Sequence, residues 1–113
     1  MNKLECIVKA MSDQLASDIV AIDMSEASPL YDTFVIASAS NSRLMQAIKD
    51  NVVDECFKNN FDIKHVEGNK ESQWILIDAG EIIIHIFDKK EREKYNLEKL
   101  WGDMPKIDLG DLL

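Results

Sequence analysis

Glycine is scarce in this chain of 113 residues: Gly68, Gly80, Gly102 and Gly110 stand far apart from one another. Phosphate-cradling loops need clustered glycines to bring backbone amides close to a ligand, so there is no P-loop and no dinucleotide fingerprint. Imidazoles are equally few. His65 and His85 are the only two, and neither shares an element with a suitably spaced second ligand, which argues against structural zinc. The two cysteines, Cys6 and Cys56, lie outside any paired spacing; one disulfide is arithmetically open, but they read as reduced, buried thiols. No serine occupies a G-x-S-x-G or comparable turn, so a triad of Asp78, His85 and a serine lacks its nucleophile. Asp-x-Asp is also missing. The acid-x-acid pair Glu91-Arg92-Glu93 would be splayed by a helix, so two-metal transfer chemistry lacks its usual ligands. Asp23 and Asp78, both at strand ends, could meet only through space; solvated acids are the simpler reading.

Long apolar runs are missing as well. No stretch approaches the 18 residues a membrane helix requires, and the opening MNKLECIVKAM carries Glu5 without a signal-like apolar core. The expectation is a cytoplasmic protein with no membrane partner. Basic residues are outnumbered, 13 against 21 acids, for a net charge of −8. That charge repels nucleic-acid phosphates unless the cations gather on one face, so limited or no direct RNA contact is expected.

What remains is ordinary globular material, 46% hydrophobic and 30% charged, in a length suited to one domain. Leu4, Ile7, Val8, Met11 and Leu15 recur at helical spacing and predict an amphipathic helix over residues 3–15. Residues 18–24 and 33–38 are β-branched runs separated by the loop Ser25–Leu30, and both read as strands. Leu44, Met45, Ile48, Val52, Val53, Cys56 and Phe57 predict a long helix over 42–59. Strands follow at 63–66, 74–78 and 82–87, the last two close enough for an antiparallel hairpin turned at Gly80. Asp88 with Glu91 resembles a capping box and opens a charged helix to about Trp101, after which Gly102 stops it and a tail begins.

This order predicts an α/β domain: one mixed five-stranded sheet with flanking helices too few to cover both faces. On the hairpin, Ile75, Ile77, Ile82, Ile84 and Ile86 share one face and form the core. Trp74, Leu76, Asp78, Ile83, His85 and Phe87 fall on the other, sheltered only by the last helix. If that shelter is partial, an aromatic patch stays in water, as partner surfaces do.

The segment Asp32-Thr-Phe-Val-Ile-Ala-Ser-Ala-Ser-Asn-Ser-Arg43 resembles a strand and helix start of the ribosomal silencing factor S, or iojap, family. Glu67-Gly68, Trp74, Asp78, Gly80, His85 and Phe87 match its E-G-x5-W-x3-D-x-G-x4-H-x-F pattern, and Arg92, Tyr95, Leu97, Glu98, Leu100 and Trp101 complete it. The likeness runs from about Leu4 to Trp101, which divides the chain into a domain at 1–101 and a tail at 102–113. It implies a nucleotidyltransferase-like fold lacking catalytic acids, no enzymatic activity and no cofactor. It also implies a translation repressor that binds the large ribosomal subunit through its protein fourteen and blocks subunit joining. A role in large-subunit assembly is a related alternative, a metal-dependent nucleotidyltransferase an alternative of another class, and a homodimer when free a further implication. The partner-binding residues it implies are Trp74, Leu76, Asp78, His85, Phe87, Arg92, Tyr95 and Glu98. Several have a plainer reading: Trp74 as a core residue, His85 as a hydrogen-bonded structural histidine, Arg92 and Tyr95 as neighbours packing the last helix down, Glu98 as a surface partner of Lys94. The acid excess would complement a basic ribosomal protein, though many proteins are acidic merely for solubility.

Overall fold

The computed structural model describes residues 2–69 and 71–113, Asp111 by its backbone alone. Helix α1 (Lys3–Asp13) begins at a capping box: the Asn2 side chain accepts the Glu5 N–H at 2.8 Å, and the Glu5 carboxylate accepts the Asn2 N–H at 3.3 Å. Two strands follow, β1 (Ser17–Asp23) and β2 (Thr33–Ala39), then the long helix α2 (Ser42–Lys58), capped by Asn41 and closed at Asn59. The chain continues through β3 (His65–Glu67), β4 (Trp74–Asp78) and β5 (Ile82–Asp88).

The strands form one mixed sheet in the order β3-β4-β5-β2-β1, and a sixth strand, β6 (Lys106–Ile107), extends it beyond β1. The expected five strands are therefore six. Two residues are too short to show any alternation, and β6 lies in residues 102–113, expected as a tail. It pairs antiparallel with Ala21 and Ile22, and the 3-10 turn Gly110–Leu112 behind it leaves Leu109 buried against the main core. The hairpin β4–β5 is antiparallel as expected, while β5 runs parallel to β2, from Thr33↔Ile82 to Ala39↔Asp88. A central strand covered on both faces should be apolar throughout. Six consecutive residues of β5, Ile82 to Phe87, are buried.

Both helices α1 and α2 pack on one face of the sheet. Ile75, Ile77, Ile82, Ile84 and Ile86 meet Ile7, Met11, Ile48 and Val52 there, the core face the alternation predicts. The other face carries a second, smaller cluster of Ile22, Met24, Ile36 and Phe87, roofed by Leu97, Trp101 and Met104. The roof is not the single helix expected over 88–101. It is two short helices, α3 (Lys89–Tyr95) and α4 (Leu97–Leu100), broken at Asn96, whose φ of 40° is left-handed. Asparagine tolerates that conformation, and its side chain then caps α4 by accepting the Lys99 N–H at 3.2 Å. The break lets the chain fold back over the sheet, where one straight helix would have run past its edge.

Candidate partner-binding surface

Alternation along β4 puts Trp74, Leu76 and Asp78 on the roofed face, and pairing sets Trp74 opposite Phe87 and Leu76 opposite His85. Four of the expected residues, Trp74, His85, Phe87 and Tyr95, meet in one aromatic cluster. The Trp74 ring lies 4.9 Å from Phe87 and 5.7 Å from His85 by centroids, and Tyr95 reaches down from α3 to 5.0 Å from Trp74. The cluster grades from inside to outside. Phe87 is 1% exposed and His85 5%, Trp74 is half-buried, and Tyr95 is 47% exposed. His85 and Phe87 therefore do not belong to a patch in water, as the alternation alone suggested, because the folded-back roof covers them. Ile83 is buried with them. Of the expected residues in and beside this cluster, Trp74, Leu76 and Tyr95 stay accessible to solvent.

His85 is held by one hydrogen bond: the Trp74 indole Nε1–H donates to its Nδ1 at 3.1 Å. Accepting through Nδ1 leaves the proton of the neutral ring on Nε2, a buried atom without a hydrogen-bond partner among the described residues. Burial alone drives its pKa down from 6.5 to about 4, since a charged imidazolium would lose its hydration among these rings. At neutral pH His85 is an uncharged acceptor.

Arg92 and Tyr95 were expected side by side, but they diverge. Arg92, nine-tenths buried, turns back to the sheet, where its Nε donates to Glu98 at 2.8 Å and its Nη1 donates to the Ser17 carbonyl and the Ser38 hydroxyl, each at 3.3 Å. Glu98 consequently pairs with Arg92 across the Asn96 break and not with Lys94. The two form a clasp that ties both halves of the roof to β1 and β2. An open groove of about 640 Å³ beside it is lined by Asp18, Lys89, Arg92, Glu93 and Glu98, charges of both signs that do not converge on one ligand chemistry.

Asp78, at the far end of β4, accepts the Gly80 N–H at 2.9 Å and shapes the hairpin turn, where Gly80 has a φ of 90°. Asp23 caps its own turn, and the Ser25 hydroxyl and N–H hold its carboxyl below the usual range. Asp23 pairs with Thr33, Thr33 with Ile82, and the neighbouring Ile83 with Asp78. Three strand spacings of about 4.8 Å thus separate the two acids by about 14 Å, too far to share a metal. Among the described residues no three His, Cys, Asp or Glu side chains gather as a metal site would need.

Phe34 escaped the sequence reading. Its ring stands edge-on to His85 at 5.0 Å and to Trp101 at 6.3 Å, closing the cluster from β2. Its strand was legible, but nothing in the sequence says that β2 lies parallel beside β5.

A family model described as "Ribosomal silencing factor during starvation" matches residues 1–113. The chain is 41% identical over 106 residues to the ribosomal silencing factor RsfS of Bacillus subtilis, covering 94% of this chain and 90% of that one. A crystal structure from Bacillus halodurans superposes with a TM-score of 0.82 at 35% identity, covering 93% of this chain and 95% of that one. A more distant mouse relative, 29% identical over 87% of this chain and 44% of its own length, is called "Mitochondrial assembly of ribosomal large subunit protein 1".

Proposed function

This chain belongs to the ribosomal silencing factor family, and from that premise we propose that it represses translation by binding the large ribosomal subunit. In this reading it docks on the subunit's protein fourteen, covers the face where the small subunit joins, and acts in the cytoplasm without catalysis or a cofactor. The nucleotidyltransferase-like architecture is then a scaffold emptied of its chemistry, in keeping with the separation of Asp23 from Asp78.

The observation that carries this reading is the half-buried Trp74, held from below by His85 and Phe87 and flanked by the 47%-exposed Tyr95. A large ring that is supported on its inner side and open on its outer side is how interfaces present their anchors. Leu76 extends the apolar strip along β4, and Asp78 ends it. The net charge of −8 suits a basic ribosomal protein and disfavours the RNA around it. Co-sedimentation with purified large subunits tests the reading: the wild-type chain pellets with them and Trp74→Ala does not. Recovery of wild type in the supernatant at every subunit concentration would reject it. A homodimer of the free protein belongs to the same reading and is checked by light scattering.

The name of the mouse relative favours a second reading, in which the same surface serves large-subunit assembly. Profiles of ribosomal particles after deletion separate the two: assembly leaves precursor particles, whereas repression leaves mature subunits that join too freely.

A further inference from the structure

His85 cannot be a contact residue, since it is 5% exposed and its Nε2 is out of reach of any partner. It is nonetheless the acceptor for the indole N–H of Trp74, at 3.1 Å, and the rings of Phe34 and Phe87 fix its own orientation from two sides. An indole has one polar atom. With that atom engaged beneath the surface, the edge Trp74 turns outward is hydrocarbon. We infer that His85 is a positioning residue for the interface: it latches the indole N–H inward, so that Trp74 meets its partner as a purely apolar anchor.

This inference rests on the reading of Trp74 as the docking residue and adds the chemistry of what it docks into. The complement is a dry pocket lined by aliphatic or aromatic carbon on a protein surface, not a phosphate or a carbonyl awaiting a donor. A tryptophan free to flip would turn its N–H outward in one rotamer and would have to shed water from it whenever that rotamer met the partner, so the latch also removes a rotamer choice before binding. Phe87 could not serve in the same place, for it supports the ring without offering an acceptor.

Two variants separate the latch from simple packing. His85→Asn keeps a side-chain acceptor close to the position of Nδ1, while His85→Phe keeps a ring and removes the acceptor. Nitrogen-15 spectra of the folded proteins read the indole N–H of Trp74 directly, by its shift and its hydrogen-exchange rate. In wild type and His85→Asn that proton should exchange slowly, and both should bind purified large subunits comparably. In His85→Phe exchange should speed up and binding should weaken about tenfold, the scale of one lost hydrogen bond together with the freed rotamer. Weakened binding in His85→Phe with an unchanged indole signal, or rapid exchange of the Trp74 indole in wild type, would overturn the latch. Should Trp74→Ala bind as wild type, the docking role of Trp74 fails, while the exchange measurement still decides whether His85 holds the indole. If His85→Phe does not fold, His85→Asn and the wild-type exchange rate carry the test.

Discussion

Trp74 and His85 show how a single residue's environment decides its role. Loss of a fully buried large ring costs about 3 to 5 kcal/mol, but Trp74 is only partly buried. Trp74→Ala should therefore unfold about 2 kcal/mol more easily while losing subunit binding altogether. Urea denaturation beside co-sedimentation checks both, and a collapse of the fold would return Trp74 to the core. His85 gives the fold an acid limit. Its neutral ring has a folded pKa of about 4 against 6.5 when unfolded, with burial as the only cause. Its contribution is thus complete above pH 6.5 and drains away as the pH falls toward 4, to a total of about 3 kcal/mol. His85→Asn cannot take up that proton, so between pH 7 and pH 4 it should lose less stability than wild type by about that amount. Equal losses in the two proteins would show that His85 is not buried as described.

Among the elements, the roof made by α3 and α4 is the most particular to this fold, and Asn96 is where it turns. Asn96→Ala removes both the left-handed tolerance and the cap on Lys99 and should cost about 1 to 2 kcal/mol, whereas Asn96→Gly should cost much less. Comparable losses would argue against the break. The same stretch shows the limit of sequence reading. Asp88 was legible as a helix start, and it does accept the Lys90 N–H at 3.0 Å. The charged run beyond it reads as one helix, because nothing local in Tyr95-Asn96-Leu97 forbids a straight continuation. The fold-back depends on Arg92 reaching Ser17 and Ser38, contacts spanning 75 and 54 residues that no local pattern contains. By contrast, the isoleucines of the hairpin declare their face by alternation alone, and Trp74 and Leu76 follow on the other. Strand β6 was invisible for want of length. Leu109→Ala, at a position 8% exposed behind β6, should cost about 2 to 4 kcal/mol if residues 102–113 belong to the folded unit. A cost near zero would make them an appendage.

The whole molecule is an α/β sheet with an apolar core beneath, a folded-back roof above, and Trp74, the proposed anchor, at the roof's edge on a body of charge −8. Attraction to a basic protein surface should weaken as salt rises, since exposed charges are screened beyond about 8 Å at physiological ionic strength. The apolar anchor should be far less sensitive. Steric exclusion adds a stronger requirement, because a protein that covers the joining face can act only while that face is empty. The most direct test is order of addition in sucrose gradients, with the chain supplied either before or after the two subunits are mixed. Added first, it should hold the subunits apart, with the block yielding by mass action as small subunits are raised in excess. Added to joined ribosomes it should leave them intact, and Trp74→Ala should do nothing in either order. Equal splitting of joined ribosomes, or full activity of Trp74→Ala, would contradict exclusion through this face.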